Sequence, residues 1–398
     1  MGEPQDGEMK RGSKRSKGAS LHVDLIWEVL LRLPSKSIVQ SRCMSKLFSS
    51  LTTQPDFIRS FAARSSPCLL ILFEVESKLF VFSLSQQQQQ NKNPAVAHVV
   101  DRSYSMLCPD RYFFFNSESV HGLICVEKSG NPQIWNPTTR RFSTLPIPAR
   151  SWREGSVSFL GYDPVDSTYK VLSLPCGERR PRQPQPRALT LGGNGLWRVI
   201  QGVPEHVPFR HGALCVNGVL YYLAAPTRPE HYTNQSLACF HVRSEKLSMI
   251  KVPWNLTSGF RSLVHCGNKL TCVISLGDDI NMWTLEDAEK HEWSHRHVCL
   301  PFPRHNPVTK TRFTLKGVNG AGEFMYVPRA LANPFHIIYF DPKGNSFRRC
   351  VVDGVADDQY RRQNGLWDGP LRTTSAYSNH VETLMALRNK ERLLWRQI

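Results

Sequence analysis

The alternation of apolar and polar residues changes character once along this chain. Over residues 21–61, LHVDLIWEVLLRLPSKSIVQSRCMSKLFSSLTTQPDFIRSF, apolar side chains recur at helical spacing. Leu25, Ile26, Val29, Leu30 and Leu33 form the stripe of a first amphipathic helix, and Asp24 and Glu28 put negative charge near its N-terminus, where the dipole favours it. Pro34 ends that helix, because proline disfavours helical geometry in the residue before it, and the helical pattern is expected to break again near Pro55. Ser35 is placed to cap a second helix carrying Ile38, Val39 and Cys43, and Ser45 a third carrying Leu47, Phe48 and Leu51. Three helices this short cannot enclose so much apolar surface, so a partner is expected to cover part of it.

From residue 67 onward the pattern is that of strands. CLLILFEV, KLFVFSL, GLICVEK, LACFHV, LTCVISL and HIIYFD are short, β-branched or aromatic, and bounded by turn formers. Helical periodicity returns only around Glu286–Lys290. The strands also repeat: an aromatic strand end, a polar turn, and a second apolar residue seven positions on. Trp135 and Phe142, Phe240 and Leu247, Phe340 and Phe347, and Thr190 and Trp197 follow this rule. Trp283 and Trp293 flank a longer version, and Phe82 starts one interrupted by Gln86–Gln90. Anchors at 82, 135, 190, 240, 283 and 340 lie 43 to 57 residues apart, the period of propeller blades. The expected fold is mainly β with a small N-terminal α module: three helices, then a β-propeller of about six blades. An irregular β-sandwich or barrel is the alternative.

The helical segment resembles an F-box, carried by DLIWEVLLRLPSKSI, RCMSKLF and QPDFI in the family's order and spacing. His22, Ser41 and Phe48 stand where that family usually has proline, an apolar residue and tryptophan. The following region resembles the F-box-associated, kelch-related domain of plant F-box proteins. GLICV (122–126), IWNPTTRRFSTLP (134–146), GYDPVDSTYKVLSL (161–174), GLWRVI (195–200), GVLYYLA (218–224) and HVETLMAL (380–387) carry that likeness. HVETLMAL is expected as a last strand that closes the ring on the first blade. The organisation expected is a basic leader (1–20), an F-box module (21–61) and a propeller-like domain (67–398). The resemblance implies docking on a Skp-family adaptor through Leu25, Ile26, Val29, Leu33, Pro34, Ile38, Cys43 and Phe48, and through it on a cullin.

Composition narrows the alternatives. No run of eighteen apolar residues exists, so no membrane-spanning helix is expected. The formal charge is +17, of which +13 lies outside the leader and the helical segment, in scattered clusters such as Arg140-Arg141 and Arg361-Arg362. Nucleic acid would favour one continuous basic stripe; an acidic or phosphorylated protein partner suits this field better. Eleven cysteines without a Cys-x-x-Cys pair argue against structural zinc and a disulfide framework, and for a nuclear or cytoplasmic setting in which the sequons at Asn234 and Asn255 go unused. KRGSKRSK (10–17) has the composition of an import signal.

Candidate chemistry is sparse. His291, His295 and His297 are the nearest approach to a metal site, and His295 and His297 would share a strand face, but no ligand set is completed nearby. Gly192, Gly193 and Gly195 lack the Lys-Ser/Thr of a phosphate loop, and no Gly-x-Ser-x-Gly elbow occurs. No cofactor is expected. Two functions compete: a non-catalytic adaptor whose β domain captures a target protein for ubiquitination, and a propeller enzyme, hydrolase or oxidase, with an unrelated helical appendage.

Overall fold

The computed structural model describes residues 22–85, 98–107, 112–113, 118–128, 131–149, 152, 156–176, 185–210, 212–226, 235–254, 260–305, 311–331, 333–355, 357–366 and 371–387. The leader, the glutamine tract and the sequon asparagines Asn234 and Asn255 lie outside these residues.

Four helices open the described chain, one more than the apolar pattern suggests: α1 (Val23–Arg32), α2 (Ser35–Met44), α3 (Lys46–Thr52) and α4 (Pro55–Arg64). The fourth was hidden because Pro55, taken as a break, occupies a first-turn position where its missing N–H costs nothing. Ser45 caps α3 as expected, its hydroxyl accepting from the Leu47 amide at 3.2 Å. Ser35 does not cap α2. It is the first helical residue, and its hydroxyl donates to Glu382 near the far end of the sequence.

The strands form six sheets, the blades of a propeller, antiparallel except where His98–Val99 adds to blade 6 in parallel. Blade 1 holds Cys68–Val75, Lys78–Ser85 and Arg102–Leu107; blade 2 holds Tyr112–Phe113, Ile124–Lys128, Asn131–Asn136 and Arg141–Thr144. Blade 3 runs from Ser156–Asp163 to Arg198–Val199, and blade 4 from Val207–Pro208 to Lys246–Lys251. Blade 5 runs from Phe260–Cys266 to Glu292–Cys299, and blade 6 from Phe313–Val318 to Ser346–Asp353. A single meander has two apolar faces and cannot bury both alone. Six clusters of buried side chains solve this, one at each junction between neighbours: Trp135 with Tyr377, Val171 with Cys125, Phe159 with Tyr222, Cys272 with Leu237, Val273 with Phe324, and Phe73 with Tyr339.

The seven-residue spacing has a local cause. In Asn136–Arg140, Asp163–Ser167, Asp287–His291 and Asp341–Asn345, the first side chain accepts a backbone N–H two residues on, at 2.9–3.0 Å. The fifth residue of each turn has positive φ, between 46° and 58°. This Asx turn reverses the chain in five residues and sets the pairs Trp135–Phe142 and Phe340–Phe347 opposite each other. Phe240–Leu247 follows the same register. The fourth pair fails: Thr190 and Trp197 are not opposed, because their hairpin pairs Ala188 with Arg198. In the longer version flanked by Trp283 and Trp293, Trp283 faces His295 and Leu285 faces Trp293. Glu286–Lys290 is a strand end and turn, not a helix, whereas a short α5 (Asp358–Asn364), capped by Asp357, was not anticipated.

Ring closure also differs from expectation. The closing strand is Leu371–His380, the innermost of blade 1, antiparallel to Cys68–Val75 with Cys68 opposite His380. Of HVETLMAL only His380 belongs to a strand; residues 381–387 leave the sheet and run toward the helices.

Candidate functional site

An apolar groove of ≈ 420 Å³ lies between α1, α2 and the start of α3. Ile26, Val29, Leu30 and Leu33 supply one wall, and Ser37, Gln40, Ser41, Met44 and Phe48 the other. Around it, Val29 is 58% exposed, Leu25 57%, and Met44 81%. Large apolar side chains this bare, gathered on one small module, mark a docking surface.

Four of the adaptor-contact residues read from the sequence, Ile26, Val29, Leu33 and Phe48, line this groove. Leu25, Pro34 and Cys43 are exposed beside it. Ile38 is a correction: it is wholly buried in the core of the helical module, against Leu30, Leu51 and Phe57, and offers nothing to a partner. Met44 was missed, although Ser37, Ser41, Met44 and Phe48 follow one another at helical spacing. Ser41 is buried, its hydroxyl donating to the Ile38 carbonyl at 2.8 Å.

The helices are fixed to the propeller by the segment that follows the closing strand. Leu384 is fully buried in the same cluster as Leu30, Leu31, Ile38, Leu51, Phe57 and Phe61. Arg42, whose guanidinium pKa is lowered by burial and by Arg141, donates to the Thr52 carbonyl at 2.8 Å and to the Leu384 carbonyl at 3.2 Å. Glu382 accepts from Ser35 and pairs with Arg102 of blade 1. On the propeller side, the buried Asn136 amide donates to the carbonyls of Thr383 (3.1 Å) and Met385 (3.0 Å). Gly122 allows the close approach, since a Cβ there would stand 2.3 Å from the Val381 carbonyl.

The same region brings a serine and a histidine together. Ser119 Oγ lies 2.8 Å from His380 Nδ1, with Glu118 next in sequence. Burial pulls the His380 imidazole down to about 4, and no carboxylate charge acts on the ring. Burial also pushes the Glu118 carboxyl up to about 8. At neutral pH the Glu118 carboxyl is mainly a neutral acid and the His380 imidazole is uncharged, states suited to packing rather than to activating a hydroxyl. Burial raises the Cys68, Cys176 and Cys215 thiols to about 11, the opposite of nucleophile activation. The three candidate histidines do not converge. His291 Nδ1 accepts from the Lys251 amide, His295 bonds Asn281 and stacks on Trp283, and His297 lies near Asp279 and Cys299 on an exposed blade 5 hairpin.

Comparison with known proteins agrees with this architecture. Residues 68–381 match the F-box associated beta propeller domain. The chain belongs to that family. An Arabidopsis thaliana protein bearing an F-box name is 39% identical over 393 residues, covering 95% of this chain and 97% of its own length. A second F-box protein of the same plant is 36% identical, covering 94% and 93%, and a third 35% identical, covering 92% and 93%. Together with the helical module these place the chain among plant-type F-box proteins with an associated propeller. Among solved structures, apo AztD from Citrobacter koseri aligns with 80% of this chain and all of its own at 12% identity and a TM-score of 0.37; puromycin hydrolase aligns with 74% and 40% at 10% and 0.36. Likeness at that level bears on neither mechanism nor ligand.

Proposed function

We propose that this F-box protein is the substrate-recognition subunit of an SCF-type ubiquitin ligase. The helical groove docks on a Skp-family adaptor, a cullin is recruited through it, and the propeller captures a target protein for ubiquitination. The observation that carries this reading is the bare apolar groove on a helical module that is itself bolted to the propeller. Buried apolar anchors dominate interfaces of this kind, each costing about 2 kcal/mol or more on truncation, roughly thirtyfold in affinity.

Replacing Leu33 and Met44 together with alanine should abolish co-purification with a Skp-type adaptor while the propeller stays folded. Leu33 is half-buried on the groove wall and Met44 is exposed, so the core of the module is spared. Undiminished adaptor binding would refute this docking mode, and turnover of a small molecule at ordinary enzyme rates would favour the enzymatic alternative.

A further inference from the structure

The innermost strands of the propeller run in one direction, so the central channel has two unlike mouths. The helices sit at the mouth where Leu371–His380 ends, since Glu382 and Leu384 follow directly. The other mouth lies where that strand begins, with Leu331 paired to Leu371. Ten residues of strand separate them, roughly 33 Å of extended chain.

Positive charge collects at this far mouth. Arg312 and Arg329 are held together by the Arg329 amide, which donates to the Arg312 carbonyl at 2.9 Å. Both guanidiniums lie over the ring of Phe260, the 48% exposed first residue of the innermost strand of blade 5, at 4.6 and 5.9 Å from its centroid. Lys316 lies deeper, on the innermost strand of blade 6, four residues and roughly 13 Å of strand beyond Arg312. It is largely enclosed by protein, and burial, then the Arg329 charge, lowers its ammonium pKa to about 8. Among the described residues none of the three cations forms an ion pair with a carboxylate. Elsewhere on the propeller the usual solution is local pairing, as in Arg348–Glu323 and Lys170–Glu245. Three clustered cations with no carboxylate partner among the described residues repel one another, a cost that an anionic ligand would reverse.

We infer that the channel mouth remote from the helices, built by Arg312, Arg329, Phe260 and Lys316, is the capture site and takes an acidic, Asp/Glu-rich segment of the target protein. The inference rests on the adaptor reading for its biological role, although the site itself stands on the geometry above. Its charges lie at two depths, so an extended chain presenting successive carboxylates serves both, whereas a single phosphate serves one. Stacking on Phe260 positions the two guanidiniums without neutralising them, so their charge stays available to carboxylate oxygens. Its position opposite the docking groove leaves the helices clear for the adaptor while a target is bound.

The test uses the full chain and fluorescence anisotropy with a fluorescein-labelled Glu/Gly peptide, its Gln counterpart, a phosphoserine counterpart and a single-stranded DNA of matched charge. The Glu peptide should bind and the Gln peptide should not. Arg329→Gln and Lys316→Met should each weaken binding by about tenfold or more, as expected for the loss of one charge-assisted contact. Lys246→Gln, an exposed cation on the outermost strand of blade 4, should leave it unchanged. Lys316→Met removes a charge from an enclosed position, so its melting temperature should equal or exceed that of the parent, and lost binding cannot then be ascribed to unfolding. Equal weakening by Lys246→Gln, tighter binding of the DNA, binding of the phosphopeptide alone, or no binding at all would overturn the proposal. Adaptor co-purification in the same variants keeps the two readings separate: peptide capture without adaptor binding would sink the adaptor reading and leave this site standing, and the reverse would do the opposite.

Discussion

Leu384 is the residue whose loss should separate the two halves of this molecule. It is remote in sequence from the helices but wholly buried among Leu30, Leu31, Ile38, Leu51, Phe57 and Phe61. Leu384→Ala removes buried methyl groups and leaves a cavity, a change that costs about 3 kcal/mol. The helices span only Val23–Arg64, and a unit of that size contributes about 2–6 kcal/mol to stability at typical values per residue. The perturbation is therefore as large as the stability it acts on. The propeller, with six inter-blade clusters of its own, should be untouched. Hydrogen exchange read by mass spectrometry should show α1–α4 losing protection by roughly a hundredfold while the strands of blades 2–6 keep theirs. Adaptor co-purification should fall in parallel. Leu387→Ala, which trims a side chain packed on the blade 2/3 cluster instead, is the control and should leave the helices protected. Unaltered helix protection in Leu384→Ala would show that the C-terminal segment does not complete this core.

The remaining predictions act on the propeller and the leader. The His380 pKa is depressed to about 4, so an unfolded chain takes up a proton first; the stability it contributes is complete above about pH 6.5 and lost as pH falls toward 4, by about 3 kcal/mol, and His380→Asn should abolish that part of the acid dependence in urea titrations. Glu118 has the opposite sign: its carboxyl is raised to about 8, its contribution is complete below about pH 4.5 and lost as pH rises toward 8, and Glu118→Gln should raise the melting temperature more at alkaline than at acid pH. Gly317→Ala, at φ 143° with its new Cβ 2.0 Å from Ser378 Oγ, should lower the melting temperature by several degrees, as a loss of about 2 kcal/mol would. The basic run at residues 10–17 is proposed to act in nuclear import; a fluorescent fusion with Lys14, Arg15 and Lys17 changed to serine should move toward the cytoplasm, and an unchanged distribution would refute that role.

Much of this architecture was legible in the sequence because its causes are local. The Asx turns at Asn136 and Asp341 fix the seven-residue spacing within a few residues of chain, so two of the anchor pairs could be read with their register. Where the hairpin turns with another register, as in the pairing of Ala188 with Arg198, the spacing rule fails for Thr190 and Trp197. Pro55 was read as a break, although proline starts helices as readily as it ends them. The groove was half legible. The α1 stripe declares itself by periodicity, but periodicity does not say which apolar residues face inward, and Ile38 turned out to be core while Met44 is bare. The core that takes Ile38 is completed by Leu384, a residue no window on the helices contains.

The same fact explains why the closing strand was misplaced. HVETLMAL has the composition of a strand, yet its side chains pack against three different things. His380 ends the closing strand beside Ser119, Leu384 fills the helical core, and Met385 and Leu387 lie on the blade 2/3 cluster. Asn136 holds the backbone in between by accepting nothing from it and donating to two of its carbonyls. One segment thus follows directly from ring closure and finishes the module that carries the docking groove. If the propeller fails to close, Leu384 has no fixed position from which to enter the helices. Docking competence would then depend on a completed propeller. A chain carrying Gly317→Ala offers the check: conditions that open the ring should cost helix protection along with it, and helices that stay protected on an opened ring would break this coupling.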